Sequence, residues 1–219
     1  PLTLPRPPPR TPLEADRRQR QMCIRDRSWT DAGAVAPVEW STEEDPDWAG
    51  GTIFKDDRRM LVKCTAEKLW PSVVGIGGKT GWYYADWLWH LRGWMDRLLG
   101  GPGLGRGRRD PAEVQVGDAL DFWRVLAVEP GHRLKLVAEM KLPGEAVLEL
   151  VLTECADGTT EVRQYARYKP RGLLGLLYWY AVLPLHNLVF VGMLTGIAKA
   201  SDVDIVNGPT PILLKKKRR

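Results

Sequence analysis

Three histidines, three cysteines and two glycine-rich runs are the places where this 219-residue chain could do chemistry. His90, His132 and His186 are candidates for general acid or base work, because imidazole is the side chain that ordinarily changes charge near neutral pH. His132 follows the Pro130-Gly131 turn, which predicts exposure. His90 stands four residues after Asp86 on a helical pattern, which predicts a surface pair. His186 differs, because it sits beside Asn187 in an apolar run where a buried imidazole must find a hydrogen bond. Cys23, Cys64 and Cys155 lie far apart, and no CxxC pair occurs. That argues against a zinc site or a disulfide framework and suits a reducing, cytoplasmic setting.

The glycine runs resemble phosphate-binding loops only in part. Gly75 to Gly81, GIGGKTG, ends like a P-loop, but Val73 stands where the motif needs its first glycine. The residues before it, Leu69-Trp70-Pro71-Ser72, read as helix or turn rather than strand. Gly100 to Arg109, GGPGLGRGRR, fails GxGxxG because Arg106 and Arg108 fill the sixth positions. It reads as an exposed loop, with Arg106, Arg108 and Arg109 available to an anion. HExxH and GxSxG are absent, and no close carboxylate pair comes with a plausible pocket, so no catalytic motif, metal site or cofactor is expected. Whether the protein is an enzyme stays open at this point.

The net charge of +5 is unevenly placed. Residues 1–28 hold seven Arg against Glu14, Asp16 and Asp26, and Lys215 to Arg219 add five positives. Residues 29–214 retain 20 basic and 24 acidic residues, so the body is mildly acidic. Nucleic-acid binding needs a basic folded face, so no nucleic-acid partner is expected. The first 28 residues are rich in Pro and Arg without the apolar core of a signal peptide. Gln21 to Ser28, QMCIRDRS, has the look of translated adapter sequence. The expected organisation is a disordered, non-native segment over 1–38, one domain over 39–202, and a basic disordered tail over 203–219.

These candidates need elements to position them. Met60, Val62 and Cys64 alternate with Leu61 and Lys63, which predicts a strand. Thr65 caps a short helix carrying Leu69, Trp70, Val73 and Val74. Tyr84, Trp87, Leu88, Leu91, Met95 and Leu98 recur at helical spacing, with Arg92 and Asp96 paired on the other side. Four strands follow within 118–129, 133–142, 148–153 and 162–168, separated by Pro130-Gly131, Pro143-Gly144 and Asp157-Gly158. Such spacing predicts an antiparallel meander with one apolar face that requires a cover.

The cover lies after Pro170. From Gly172 to Ile197 no residue is charged, and as a helix the run would extend about 39 Å. Gly172, Gly175, Gly192 and Gly196 offer places for close approach, and Pro184 is expected to kink it. A core helix buried by the meander is the expectation, since the inward leucines otherwise have nothing to pack on. A membrane-embedded or membrane-surface helix is the alternative, supported by its length and by the basic Lys215–Arg219 flank.

The order strand, helices, four-strand meander, long final helix resembles the helix-grip arrangement of the START/Bet v 1-like (SRPBCC) superfamily. The strings DPDWAGGT, IGGKTGWYYADWLWHLRGWMDRLLGG, VGDALDFWRV, AEMKLPGEAVLEL and PRGLLGLLYWYAVLPLHNLVF resemble the bacterial domain of unknown function 2867. The resemblance implies an α+β fold in which a curved antiparallel sheet wraps around a long C-terminal helix. It also implies a possible upstream NAD(P)-binding, short-chain-dehydrogenase-like domain, for which this chain would be an accessory domain. A curved sheet gripping one helix leaves a cavity, and a hydrophobic or aromatic small molecule is the expected partner. Trp87, Trp123, Met140, Leu148, Tyr168, Tyr178 and His186 are the expected lining, with the last three offering polar tips.

Overall fold

Alternation becomes a sheet wherever the Gly turns interrupt it. A computed structural model describes residues 53–101, 103–104, 110 and 113–212. The 1–38 segment, the arginines 106, 108 and 109 and the Lys215–Arg219 cluster fall outside those residues. The described residues form strands β1 (Phe54–Val62), β2 (Ala119–Leu120), β3 (Trp123–Glu129), β4 (Arg133–Ala138), β5 (Gly144–Glu154), β6 (Thr160–Pro170) and β7 (Ile205–Pro211). Helices α1 (Ala66–Val74) and α2 (Asp86–Leu98) follow β1, and α3 (Gly172–Ala200) follows β6. The strand order is β2-β3-β4-β5-β6-β1-β7, every pair antiparallel. This is an α+β helix-grip fold, a curved sheet closed by one long C-terminal helix.

The register puts the leucines where the period-2 pattern requires. Leu136 faces Leu148, Leu134 faces Leu150, and Leu152 faces Val162, which in turn faces Met60. All are buried, and Met193, Leu194 and Ile197 of α3 complete the core over them. On the opposite face charges pair across strands, with Arg133 on Glu149 at 2.5 Å and Arg124 on Glu139 at 2.7 Å. α1 is the expected helix, Thr65 accepting a hydrogen bond from the Lys68 amide at 3.4 Å, and it runs through Pro71 to Val74.

Three expectations need correction. Residues 205–211 are not a tail but edge strand β7, paired with β1 and continued by the Ile212 amide donating to the Asp57 carbonyl. An edge strand tolerates Pro209 and Pro211 because the missing N–H groups can face outward. The second correction concerns α3, which is buried mainly in its C-terminal half. Val189, Phe190, Met193, Leu194, Ile197 and Ala198 are buried, while Leu173, Leu174, Leu177, Tyr180 and Leu188 are exposed. The sheet reaches only part of a 29-residue helix, so its outward leucines stay uncovered. Thirdly, the Arg92–Asp96 surface pair does not form: Asp96 is fully buried and accepts from the Gly103 and Lys141 amides at 2.8 and 2.7 Å.

Close approach to α3 comes from a loop as well as the sheet. A side chain at Gly192 would overlap the Tyr84 ring, and one at Gly196 would meet Tyr83. The two glycines thus seat the loop leading into α2 directly on the helix, and from α2 Arg92 reaches the Tyr178 ring of α3.

Candidate functional site

Between the inner face of β5 and β6 and the helices α2 and α3 lies a cavity of about 330 Å³. Each wall follows from a periodicity. Leu148 and Ala146 alternate inward along β5, Ala166 and Tyr168 along β6, and residues four apart on α3 (Tyr178, Val182, His186, Phe190) fall on one stripe. From α2, Leu88, Leu91, Arg92 and Met95 form the remaining wall. Nearly all of the surface is apolar or aromatic.

Six of the seven candidates meet here: Trp123, Met140, Leu148, Tyr168, Tyr178 and His186 line the cavity. Trp87 does not. It is 66% exposed on the outer side of α2, whereas Trp89, two residues on, reaches the wall and stacks on Trp82 at 4.7 Å. Two residues turn a helix by about 200°, so reading the helical phase from the wrong tryptophan inverts its side. Sequence reasoning also missed Arg92, Ala146, Ala166 and Trp179. Small inward alanines, Ala146 opposite Tyr168 and Ala166 opposite Leu148, were the available signal for a hollow.

An aromatic chain organises one end. Phe54 stacks on Trp179 at 5.0 Å, Trp179 on Tyr168 at 5.7 Å, and Trp179 meets His186 edge-on at 5.0 Å. The Tyr168 hydroxyl donates to the Pro143 carbonyl at 3.0 Å, and burial pushes its pKa up to about 12. The phenol is therefore neutral throughout the physiological range. Arg92 places its guanidinium 5.8 Å from the Tyr178 ring centre, a cation–π contact at the wall. Nε atoms of Trp89, Arg92 and Trp123 are buried without a hydrogen-bond partner. Such orphaned donors cost about 1–3 kcal/mol each and are uncommon in native interiors.

The other histidines sit elsewhere. His132 is exposed, with Nδ1 2.8 Å from the Leu152 carbonyl. His90 is exposed too, and Asp86 does not serve it as expected: its carboxylate turns back to accept from the Trp82 amide at 2.8 Å. The P-loop-like run binds inward as well. Gly77 donates to the Gly81 carbonyl at 2.7 Å, and the Gly78 amide points at the Asp121 carboxylate at 3.2 Å. An amide cradle already turned to a carboxylate is unsuited to phosphate. Among the described residues, no group of three or more His, Cys, Asp or Glu side chains converges as metal ligands.

The family model of a protein of unknown function (DUF2867) matches residues 48–193. Among solved structures, truncated norcoclaurine synthase from Thalictrum flavum is 12% identical, with a TM-score of 0.43 over 68% of this chain and 93% of that one. A conserved protein from Geobacillus kaustophilus is 15% identical, with a TM-score of 0.38 over 68% and 95%. A protein from Chromobacterium violaceum is 12% identical, with a TM-score of 0.38 over 68% and 98%. No curated protein matches the sequence.

Proposed function

The chain belongs to the DUF2867 family of proteins of unknown function, and for this member we propose that the cavity between sheet and final helix binds a hydrophobic or aromatic small molecule. The observation that carries the reading is the cavity itself: about 330 Å³ of space walled by Leu, Met, Ala and aromatic side chains. Ligand pockets typically hold about 300–1,000 Å³, with mostly apolar walls and a few polar groups that set orientation. His186, Arg92 and Tyr178 supply those groups. The test is tryptophan emission of the full chain titrated with laurate, cholesterol and acetophenone. Trp89, Trp123 and Trp179 are in the wall, so occupancy is expected to change emission saturably. Emission and melting temperature unmoved by every probe would end the reading.

A second reading, association with a lipid surface, is favoured by one observation. The 29-residue α3 is long and apolar enough to cross a bilayer, and only a third of its most apolar window is buried. Leu173, Leu174 and Leu177 at its start, Trp94 and Leu98 on α2, and Leu99 just after α2 are exposed. An apolar face with a basic sequence flank suits an anionic bilayer. Cosedimentation with phosphatidylglycerol vesicles tests it. Leu174→Glu and Leu177→Glu together are expected to abolish pelleting, and a wild-type protein that stays in the supernatant contradicts the reading.

A further inference from the structure

The inner face of β1 breaks its own pattern. Phe54, Asp56, Arg58, Met60 and Val62 share that face, yet Asp56 and Arg58 are charged and buried beneath α3. Arg58 Nη2 donates to Asp56 Oδ2 at 3.0 Å, its Nε lies 3.0 Å from Oδ1 as an ion pair without hydrogen-bond geometry, and Nη1 donates to Asn187 Oδ1 at 3.0 Å. Gln164, the cross-strand neighbour of Arg58, is fully buried with neither amide atom hydrogen-bonded. Well-packed apolar residues would stabilise such a position at least as well as a buried ion pair, so stability does not account for these charges.

His186 sits where this polar cluster meets the cavity. Its ring lies edge-on to Trp179 and 4.8 Å from the Phe190 ring centre, two contacts that fix its plane. Nδ1 is buried without a hydrogen bond and lies 3.7 Å from Asp56 Oδ2. The ring lines the cavity, so one nitrogen faces the carboxylate and the opposite one, Nε2, is left to a ligand. Burial alone would raise the Asp56 carboxyl, but the hydrogen bond and charge of Arg58, with the nearby His186 ring, outweigh it and hold the group below the usual carboxylate range. Asp56 is therefore ionised at neutral pH.

We propose that His186 and Asp56 form a proton-transfer pair serving the cavity, with His186 Nε2 as base toward a hydrophobic ligand that carries an enolisable carbonyl. The proposal rests on the cavity being a ligand site. In the step, the bond between the α-carbon and its hydrogen breaks and an N–H bond forms at Nε2. The electron pair moves into the carbonyl framework as an enolate. Returning the proton to the same carbon, or to a conjugated one, regenerates neutral His186, and no oxidant, reductant or second substrate is consumed. Asp56 is a positioning residue: it sets the tautomer with the proton on Nδ1 and stabilises the imidazolium, while Arg58 keeps Asp56 charged. Asp56 and Arg58 from β1 are the charged groups facing the ring. The other titratable groups of the lining are Arg92, Tyr168 and Tyr178.

The experiment places the full chain in deuterium oxide with 2-octanone or acetophenone. Exchange of the ketone α-protons is followed by NMR, and binding by tryptophan emission in the same samples. The expected result is exchange above the buffer rate that rises with pH and then levels. Hydroxide catalysis would instead keep rising tenfold per pH unit. His186→Gln should bind ketone and lose about 100-fold in exchange, and Asp56→Asn should lose less and shift the midpoint to lower pH. The wild-type profile alone decides the matter if a variant fails to fold. Bound ketone exchanging at the buffer rate, or unaffected by His186→Gln, overturns the pair and leaves the binding reading standing. Absence of ketone binding overturns the pair, and the binding reading falls with it only where laurate and cholesterol also leave emission unmoved.

Discussion

Filling the cavity from its floor should make the protein more stable and deaf to ligand. Ala146 is on the inner face of β5, opposite Tyr168 in register, and lines the cavity. In Ala146→Phe the added ring enters space that is already present. Burying a phenylalanine side chain contributes about 1.5–3 kcal/mol, and ordering it costs on the order of 0.5–1 kcal/mol. A net gain of about 1–2 kcal/mol raises Tm by roughly 2–8 °C for a domain of this size. Circular dichroism melts of wild type and variant read the shift, and laurate titration of both reads the loss of binding. If side chains already plug the interior, the same substitution overpacks it and costs about 1–3 kcal/mol. A Tm several degrees below wild type, with laurate binding intact, refutes the reasoning.

Other outcomes follow from single contacts. Gly192→Ala should cost about 1–3 kcal/mol by overpacking against Tyr84, and Tyr84→Ala in the same chain should recover part of it in urea melts. Asp96→Asn weakens the charge-assisted bonds from the Gly103 and Lys141 amides, with an expected loss of about 1–3 kcal/mol. The folded-state pKa of Asp56 is depressed, so its contribution is full above the ordinary carboxylate pKa and disappears as pH falls through the lower folded value. The stability gap between wild type and Asp56→Asn should accordingly be constant near neutrality and shrink below about pH 4. A gap that widens on acidification would reverse the assignment. Ultraviolet titration should find one tyrosine, absent in Tyr168→Phe, that ionises only near pH 12.

The parts of the fold legible in the sequence are those where one physical rule dominates. β4 to β6 follow from strict alternation between Gly-containing turns, because a one-residue slip would turn Leu148, Leu150 and Leu152 outward. β7 was illegible because Ile205–Pro211 carries two prolines and no alternation, and owes its pairing to the open edge of β1. The first half of β1 hid for the opposite reason. FKDDRR reads as a solvated charge run, and only the tertiary neighbours Asn187, His186 and Arg167 show Asp56, Asp57 and Arg58 to be partnered. At the site, the large strand residues Trp123, Leu148 and Tyr168 were legible, while the small Ala146 and Ala166 and the residues on α2 were not. Strand alternation leaves two faces to choose between, whereas a helix with tryptophans at 87, 89 and 94 offers apolar groups on every side.

The central claim is that the ligand lies inside the grip and not on the exposed apolar surface. Isotope-filtered NMR of the labelled full chain with bound laurate separates the two directly. The account predicts Overhauser contacts from the ligand chain to the methyl groups of Ala146, Leu148 and Ala166. Contacts confined to Leu173, Leu174 and Leu177 would contradict it.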